Sequence, residues 1–384
     1  MDKQCILFPI DDFSISGVTT FVNQYTHFCH TNGLDSIVVG FWGDALNDKE
    51  MFRATEVRVI HKLFNRFKFL GFIDWARYLV EISKIIVNNY VSHVHLGTTR
   101  SSVLTLFSPY SWQIRKTGTF YGDWALEMNF YQKGFISRAF RFTQRRLLQR
   151  FTLSFMDTII VFSRYAKSLV VSLYGVGKEK IVIIPGAVDR VEPMKRDRRS
   201  DVPLHLVNIS RIDPRKGHEN LLRAIQIVHK IKTVFLTIAG PFRGSNIHHT
   251  MLLYERLRLF TSVRFVHGVN NEEKKQLYKT SDLFVMPSVD LETFGMTIIE
   301  ALAAGVPVIG VGVGAIPEIL SRIDSRLVIS DSSPQAIAKK ILWYMRLTKK
   351  QREAIVEKSK NVVLDNYIYK KISPLFYSTV RYER

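Results

Sequence analysis

The sequence predicts an α/β fold made of two doubly wound domains that face a cleft. Its 384 residues exceed the size of one ordinary core, and 46% of them are hydrophobic, which is enough to fill two cores. Short apolar runs alternate with helical patterns in both halves of the chain, as is typical of parallel βαβ units. A charged stretch with prolines, 189–203, lies between the halves and is interpreted as a linker.

Each half contains six apolar runs that are predicted to be strands. In the first half they cover 5–10, 36–42, 93–97, 116–120, 158–163 and 181–185. In the second half they cover 205–210, 234–240, 263–268, 283–288, 306–310 and 326–330. The predicted domains are 1–190 and 191–363, and a helical, aromatic tail over 364–384 is expected to pack back on the first domain. Ligands of such sheets bind beyond the carboxyl ends of the strands.

The charge distribution favours an anionic partner. The net charge is +20, and residues 51–150 alone contain 16 Lys and Arg against 5 Asp and Glu. Such a field attracts nucleic acid, acidic lipid or phosphorylated substrates, but it is also compatible with a plain solvated surface. No apolar run reaches the roughly 18 residues of a membrane span. The first residues lack a signal-peptide layout and there are two cysteines, so a cytoplasmic protein without a disulfide framework is expected.

Two carboxylates mark the strongest candidate site. Glu292 precedes Gly295, and Glu300 falls inside a helix that is predicted to begin near Met296. The start of a helix offers unpaired amides and a partial positive charge, so it binds phosphate. Carboxylates on either side of a bound diphosphate would accept hydrogen bonds from sugar hydroxyls, as a nucleotide sugar requires. An unpartnered Glu300 among its apolar neighbours would be costly.

A basic turn follows the first predicted strand of the second half. Arg211, Arg215 and Lys216 cluster there, before a helix that is predicted to start near Gly217. Arginine forks and a lysine point charge both suit phosphate, but a plain basic turn is equally consistent with the pattern. Gly17, which precedes a helical pattern after the first strand, would let backbone approach a phosphate in the same way, although a simple turn explains a single glycine as well.

Dinucleotide and metal chemistry are both disfavoured. Gly310, Gly312 and Ala315 match a dinucleotide-binding fingerprint, but Pro317 interrupts the helix that this motif needs. The sequence contains no D-x-D motif and no His/Cys cluster with zinc spacing, so no metal is expected.

Taken together, these segments resemble the retaining GT-B glycosyltransferases of family four, the glycosyl transferases of group 1. The segment 210–225, SRIDPRKGHENLLRAI, is similar to that family's basic phosphate turn. The segment 263–319 is similar to its donor-binding region, with the E-x7-E pair intact, and 163–189 resembles the end of its first domain. The resemblance covers nearly the whole chain and is strongest over 205–320.

The resemblance implies a hexosyltransferase that uses a UDP- or GDP-sugar, retains the anomeric configuration and needs no metal or other cofactor. Its Rossmann-like first domain would bind the acceptor and its second the donor. Arg211 and Lys216 would hold the diphosphate, Glu292 would contact the transferred sugar, and Glu300 would bind the ribose. The other donor contacts, largely through backbone, would come from Gly17, His267, Val269, Phe294, Gly295, Met296 and Thr297.

The sequence departs from the family pattern at one position of the first domain. Many members carry a histidine there, near the transferred sugar, whereas the segment GTFYGDW places Tyr121 at that position. Tyrosine donates a hydrogen bond but is not cationic at neutral pH. Asp123 is therefore considered as a second residue for this contact.

The acceptor is expected to be a glycan or a lipid-linked saccharide in cell-surface polysaccharide or lipopolysaccharide synthesis. Lys62, Arg66 and Lys68 interleave with phenylalanines over 61–72, which fits an anionic membrane surface as well as a core-facing strip. In the basic helix predicted over 136–151, the apolar residues are expected to face the core. A peripheral location on the inner face of the plasma membrane would follow from the first interpretation.

Two rival functions stay open at this point. A sugar phosphorylase or hydrolase would use the same fold, because fold does not determine the reaction. A basic nucleic-acid-binding protein fits the net charge, but it leaves Glu292 and Glu300 unexplained and the sequence shows no recognisable module of that kind. No nucleic-acid partner is therefore expected.

Overall fold

The chain folds into two compact units, Met1–Pro185 with Ile372–Arg384, and Gly186–Lys371. The structure is a computed structural model that describes residues 4–11, 17–40, 52–60, 71–97, 100–127, 135–192, 203–242 and 246–381. Each unit contains one parallel sheet with flanking helices. The predicted α/β class with two doubly wound domains is confirmed.

The first sheet contains all six strands predicted for this half, and one more. Its strands are β1 (Cys5–Ile10), β2 (Asp35–Gly40), β3 (Glu56–Val59), β4 (Val91–Gly97), β5 (Arg115–Thr119), β6 (Thr158–Val161) and β7 (Ile181–Ile183). They lie in the order β3-β2-β1-β4-β5-β6-β7. The prediction missed β3 because its sequence, EVRV, carries a charge at every second position, as suits a half-solvated edge strand.

The helices of the first unit connect these strands. They are α1 (Gly17–Thr31), α2 (Gly71–Asn88), α3 (Arg100–Leu106), α4 (Trp124–Glu127), α5 (Phe135–Ser154) and α6 (Arg164–Tyr174), with 3-10 turns at Pro109–Gln113 and Lys178–Lys180. The helix predicted to follow Gly17 is confirmed.

A buried polar ladder and an aromatic stack occupy the middle of the first unit. His95 bonds Thr117 through Nδ1 at 2.8 Å and Thr119 through Nε2 at 2.9 Å. Burial lowers the pKa of His95 well below its usual value, so the ring stays neutral. Phe376, near the C-terminus, stacks on Tyr25 at a centroid distance of 4.1 Å and lies 5.7 Å from the His95 ring.

The second sheet contains the six strands predicted for the second half. They are β8 (Leu204–Ile209), β9 (Val234–Gly240), β10 (Val263–His267), β11 (Leu283–Met286), β12 (Val308–Val311) and β13 (Val328–Ile329). The helices of the second unit are α7 (His218–His229), α8 (Asn246–Arg256), α9 (Asn271–Thr280), α10 (Met296–Ala303), α11 (Ile316–Leu320), α12 (Pro334–Met345) and α13 (Lys349–Asn366). The last helix, α14 (Tyr369–Val380), belongs to the first unit from Ile372 onward. The helix starts predicted near Gly217 and Met296 are confirmed.

The order of the second sheet reverses between β8 and β11. Strands β8, β9 and β10 follow one another to one side, and β11, β12 and β13 follow one another to the other side. In open parallel sheets such a reversal opens a crevice at the carboxyl ends of the two central strands, where ligands bind. The residues after these strands, 210–217 and 287–295, therefore frame the candidate site.

The prediction that the apolar residues of the basic helix face the core was wrong. Phe140, Leu147, Leu148 and Phe151 of α5 are exposed. The helix instead turns Gln149 inward, because the Gln149 amide donates to the Gly122 carbonyl at 2.7 Å and its Oε1 lies 2.8 Å from the Tyr174 hydroxyl. These buried hydrogen bonds, together with Leu153, which is fully buried in the core, set the rotation of the helix about its axis.

Residues 61–70, for which the sequence left a membrane contact open, lie outside the described residues. Within the described ranges, the helices are either too short or too polar to cross a bilayer.

Candidate functional site

Two loops at the carboxyl ends of β8 and β11 pack directly against each other. The Val289 amide donates to the Arg215 carbonyl at 2.7 Å. Gly217 has a φ of +68°, and a Cβ atom there would stand 2.0 Å from the Pro287 carbonyl oxygen. Glycine alone meets both constraints. The basic turn, 210–217, and the loop 287–295, which is called the acidic loop, are thus held in one arrangement.

Within the basic turn, Asp213 organises the cations. It caps the 3-10 turn Pro214–Lys216 by accepting the Arg215 amide at 3.0 Å, and the same carboxylate lies 3.3 Å from the Arg215 guanidinium. Both side chains are buried. Arg211 is about half exposed and lies 3.5 Å from Asp213. Arg215 therefore serves the turn itself, and Arg211 is the more accessible cation of the two.

Lys216 and Glu292 form an ion pair where the two loops meet. Lys216 Nζ lies 2.5 Å from Glu292 Oε2, and the Ser288 hydroxyl lies 3.4 Å from the same oxygen. Glu292 is buried and Lys216 largely so. The crevice of the sheet therefore presents a cation and a carboxylate side by side, which together suit a ligand with an anionic group next to a hydroxyl.

The turn between β12 and α11 fixes the backbone of the acidic loop. The Glu292 carbonyl accepts the Ala315 amide at 2.8 Å. Gly314 has a φ of +60°, and a Cβ atom there would lie 2.2 Å from the Glu292 carbonyl oxygen. Leu291 adopts a φ of +52°, which is uncommon for a residue other than glycine. The position of the Glu292 carboxylate depends on this close packing.

Helix α10 begins directly after the acidic loop. Gly295 precedes it with a φ of +94° and provides no side chain to cap the first amides. Uncapped N–H groups at a helix start are suited to an anion. Phe294 is buried, with its ring 5.9 Å from that of Tyr367, whereas Met296 and Thr297 are half-buried.

Two residues of α9 hold Glu300. Lys274 Nζ lies 2.9 Å from both carboxylate oxygens, and the Tyr278 hydroxyl donates to Oε2 at 3.0 Å. Burial, and then the nearby Glu300 charge, raise the pKa of Tyr278 well above its usual value, so the hydroxyl stays protonated. The expectation that Glu300 needs partners is confirmed. Sequence reasoning missed both partners, although their i, i+4 spacing places them on one helix face.

A buried polar network supports the basic turn from the side of the sheet. Asn208 Oδ1 accepts from the Ser210 hydroxyl at 2.8 Å, and His218 Nε2 lies 3.1 Å from the same oxygen. The Asn208 amide donates to the Val285 carbonyl of β11 at 2.9 Å. Burial, and then the charge of Lys216, lower the pKa of His218 to about 4, so the ring is neutral. Sequence reasoning missed this network too, because its members lie on different elements.

The loop after β10 leads into the helix that holds Glu300. His267 is exposed, and its ring lies 4.8 Å from the Phe242 ring. Gly268 has a φ of +60° with open space around its Cβ position, and Val269 is half-buried. Asn270 then caps α9 by accepting the amide at the third helical position. The cap thereby connects this loop to Lys274 and Tyr278.

The first unit carries three of the predicted site residues. Gly17 is the first residue of α1, and 12–16 lie outside the described residues. Tyr121 is half-buried, with its ring 6.1 Å from Phe21 and 5.9 Å from Phe162. Burial, and then Tyr25, raise the pKa of Tyr121 well above its usual value, so it keeps its proton.

Asp123 is buried in a local network of the first unit. Its Oδ1 accepts the Leu126 amide at 2.8 Å in the first turn of α4, and its Oδ2 lies 2.7 Å from the Tyr174 hydroxyl of α6. Burial is the main cause that raises the pKa of Tyr174, followed by the Asp123 charge. Both oxygens of Asp123 thus have structural partners.

The structure therefore pairs Lys216 with Glu292 in the second unit, places Arg211 in the same basic turn as Lys216, and surrounds Glu300 with a lysine and a tyrosine. In the part of the chain that the structure describes, no group of three or more His, Cys, Asp or Glu side chains is placed to hold a metal ion.

Two family models match this chain one after the other. The model described as Glycosyltransferase Family 4 matches residues 15–192, and the model described as Glycosyl transferases group 1 matches residues 192–362. The chain belongs to the glycosyltransferases of family four, which are also described as the glycosyl transferases of group 1. The second match contains the basic turn, the acidic loop and α10.

Curated relatives of this glycosyltransferase include proteins from three distant organisms. A glycosyltransferase of Methanocaldococcus jannaschii is 28% identical, over 56% of this chain and 57% of the relative. A 41.2 kDa protein in the cps region of Klebsiella pneumoniae is 26% identical, over 79% and 80%. A GDP-mannose-dependent alpha-(1-6)-phosphatidylinositol monomannoside mannosyltransferase of Mycobacterium tuberculosis is 29% identical, over 47% and 51%. The chain thus spans little more than half of the first and the third relative.

Solved structures share the fold of this glycosyltransferase along its whole length. Sucrose-phosphate synthase from Thermosynechococcus elongatus has a TM-score of 0.82 at 17% identity, over 98% of each chain. The HepE protein of Anabaena, in complex with UDP and glucose, has a TM-score of 0.78 at 16% identity, over 97% of this chain and 98% of its own. This likeness shows the GT-B fold.

Gly314→Ala is expected to destabilise the second unit by about 3 kcal/mol, because the new Cβ would collide with the Glu292 carbonyl in a strained conformation. Gly268→Ala is the matched control: its φ is also +60°, but nothing lies within 4 Å of its Cβ position. Gly268→Ala should lower the free energy of unfolding by about 1 kcal/mol. Chemical denaturation followed by circular dichroism measures both. Equal losses would show that the acidic loop is not held by this turn.

Proposed function

We propose that the chain transfers a sugar from a nucleotide-diphosphate sugar to a glycan or lipid-linked acceptor, with retention at the anomeric carbon. The observation that carries this proposal is the Lys216–Glu292 pair, which lies at the crevice of the second sheet with its Nζ and Oε2 atoms 2.5 Å apart. A diphosphate next to a sugar is the ligand that matches a cation and a carboxylate so placed.

Arg211 and Lys216 would neutralise the donor diphosphate. Arg211 is accessible, and Lys216 would exchange the Glu292 carboxylate for a phosphate oxygen. The uncapped start of α10 adds the positive end of a helix dipole and the amides of Met296 and Thr297. Negative charge develops on the leaving diphosphate as the bond to the anomeric carbon breaks, and these groups would stabilise it.

Glu292 would contact the transferred sugar once Lys216 turns to the diphosphate. Its carboxylate accepts hydrogen bonds from sugar hydroxyls and stabilises the positive charge of an oxocarbenium-like transition state. Backbone groups of Phe294 and Gly295 would line the same subsite. The acceptor oxygen then bonds to the anomeric carbon, and its proton passes to the leaving phosphate.

Glu300 would bind the ribose hydroxyls, with Lys274 and Tyr278 holding the carboxylate in place. The i, i+4 pair on α9 contacts both carboxylate oxygens, so the rotamer of Glu300 is set before a nucleotide arrives. His267, at the end of β10, and Val269, in the loop that leads into the same helix, would border the base.

The nucleotide is proposed to be UDP or GDP. HepE, which shares the fold, is solved with UDP and glucose, and the Mycobacterium tuberculosis relative is GDP-mannose-dependent. Both ligands support a nucleoside diphosphate sugar, and neither selects the base for this chain.

The first unit would contribute Gly17, Tyr121 and Asp123, and would bind the acceptor. The Tyr121 hydroxyl is protonated and is a neutral donor in place of the histidine that many family members carry. Asp123 would affect the contact between Tyr121 and the sugar indirectly, by fixing the start of α4. Its own carboxylate oxygens already have partners at 2.7 and 2.8 Å.

The acceptor is proposed to be a cell-surface polysaccharide or lipopolysaccharide precursor at the inner face of the plasma membrane. Two relatives support such an acceptor: one is encoded in a cps region and another is a phosphatidylinositol monomannoside mannosyltransferase. The excess of cations over residues 51–150 is compatible with the negative surface of that leaflet.

Glu292→Gln is expected to lower kcat about a hundredfold or more, because the lost charge stabilises the transition state. Affinity for UDP or GDP should be unchanged or higher, since Lys216 loses its competing partner. Asp290→Asn is the matched control: this neighbouring carboxylate is exposed, so its activity should stay near that of the wild type.

The measurement is nucleoside diphosphate release from a panel of UDP- and GDP-sugars with a lipid extract as acceptor. Proton NMR of the product reports the anomeric configuration. Normal turnover in Glu292→Gln would remove this carboxylate from the mechanism, and an inverted product would exclude retention.

Glu300→Ala is expected to weaken the binding of UDP or GDP about tenfold or more, because hydrogen bonds to a charged group are lost. The loss should be the same for the nucleotide and for its sugar conjugate, since the ribose is common to both. Glu272→Ala is the control: it removes the same charge from an exposed pair with Lys275 on α9. Calorimetric affinities that do not change in Glu300→Ala would contradict the ribose assignment.

Transfer is expected to proceed fully in the presence of a chelator, because Arg211 and Lys216 supply the positive charge that a metal would otherwise bring. The same release assay with and without EDTA, and with added Mg²⁺ or Mn²⁺, measures this. A strict metal requirement, together with loss of the metal-supported activity in Asp290→Asn, would instead make Asp290 and Glu292 the ligands and overturn the proposed roles of the cations.

A further inference from the structure

An exposed apolar stripe runs along helix α5 of the first unit. Phe140, Leu147 and Phe151 follow one another at intervals of seven and four residues, so at about 100° per residue they fall within an arc of about 40°. Phe140 is 70% exposed and Leu147 is 62% exposed. Helices of globular proteins normally turn such a stripe into the core, so its exposure calls for a partner.

The stripe continues into an aromatic cluster after α3. The ring of Phe107 lies 6.0 Å from that of Phe151, and Phe155 lies 4.8 Å from the same ring. Exposed Trp112 lies 5.5 Å from Phe155. Phe107 and Tyr110 also line a groove of about 530 Å³ together with residues of α2. The continuous area is called the aromatic face and consists of Phe107, Tyr110, Trp112, Phe140, Leu147, Leu148 and Phe151.

Cations border the aromatic face on both sides. Arg141 and Arg150 are exposed, and at about 100° per residue they lie about 100° and 80° from Phe140, in opposite directions round the helix. Residues 135–154 contain five arginines and no acidic residue. An apolar centre with cationic borders is the pattern of a helix that lies in the plane of an anionic membrane interface, and Trp and Tyr concentrate at that depth.

The inner side of α5 shows that this orientation is built into the fold. Gln149 is buried between the Gly122 carbonyl and the Tyr174 hydroxyl, at 2.7 and 2.8 Å. Rotating the helix to hide the stripe would break these buried hydrogen bonds and leave their groups unsatisfied. The apolar stripe of the aromatic face therefore lies on the stable outward side of the helix.

We propose that the aromatic face docks this protein on a bilayer that contains anionic lipid, with α5 lying in the membrane interface and Arg141 and Arg150 among the headgroups. The proposal deepens the proposed function, because a lipid-linked acceptor would be met at that surface. It is tested without turnover, so it stands or fails independently of the transfer reaction.

The test is cosedimentation of the full chain with vesicles of phosphatidylcholine, with and without phosphatidylglycerol, at low and high salt. Phe140→Ser combined with Leu147→Ser should lower partitioning onto the acidic vesicles about tenfold or more. Arg141→Gln combined with Arg150→Gln should lower it to a similar extent at low salt, and high salt should remove most of that difference.

Matched controls come from the second unit. Phe260 and Leu252 are 60% and 62% exposed, so Phe260→Ser with Leu252→Ser removes comparable apolar surface elsewhere. Arg223→Gln with Arg256→Gln removes two exposed charges from the same unit. Both control pairs should bind vesicles like the wild type. Circular dichroism spectra and melting temperatures without nucleotide should be the same in all variants and establish that each is folded.

Three outcomes would overturn the proposal. One is equally negligible binding of the wild type to acidic and neutral vesicles at low salt. Another is wild-type binding by both the serine and the glutamine variants of the aromatic face. The third is a self-associated wild type that Phe140→Ser with Leu147→Ser converts to monomer in analytical ultracentrifugation, without vesicle binding, which would assign the face to a second copy of the chain.

Discussion

Contact between a lysine and a carboxylate across two strand ends organises the proposed donor site. Lys216 and Glu292 are 76 residues apart in the chain, and they meet because β8 and β11 are neighbours at the reversal of the sheet. Removing two charges from water is costly unless their geometry is good and other bonds support them. Here Asp213 shapes the basic turn, while the Val289 amide and the close approach of Gly217 join the two loops. In the proposed reaction, a diphosphate would replace Glu292 as the anion beside Lys216.

The second carboxylate, Glu300, is also held by an ion pair. Lys274 neutralises Glu300, and Tyr278, protonated because it is buried beside that charge, donates a hydrogen bond to it. Each carboxylate of the E-x7-E pair is thus paired with a lysine from another element. Such pairing holds the two carboxylates in place before a ligand binds, which lowers the entropic cost of binding. In the proposed reaction, the Lys274–Glu300 pair would stay intact when the nucleotide binds, and only the Lys216–Glu292 pair would be exchanged for a contact with phosphate.

In the first unit, a buried polar network helps to determine which side chains of α5 face outward. Asp123, Tyr174 and Gln149 are connected by contacts of 2.7 and 2.8 Å, and Gln149 in turn bonds the Gly122 carbonyl. This network and the core contacts of Leu153 hold α5 with Gln149 and Leu153 inward, so that Phe140 and its apolar neighbours face outward. The segment that contains Tyr121 is therefore connected, through one hydrogen-bonded chain, to the helix that carries the aromatic face.

The sequence by itself determined the elements and the residue types of the site. Twelve strands follow from local runs of apolar residues, and the starts of α7 and α10 follow from Gly217 and Gly295, because these signals act within a few neighbouring residues. Strand β3 was not predicted, because a half-solvated edge strand needs few apolar residues.

Tertiary structure decided which side chains meet. The residues of the Lys274–Glu300 contact are 26 positions apart in the chain. The ion pair between Arg215 and Asp213 and the inward position of Gln149 also depend on packing between separate elements. A residue's charge and its helical spacing are visible in the sequence, but its partner is set by strand order and helix rotation. Those are fixed only when the whole core is packed, since buried polar groups must then be satisfied together.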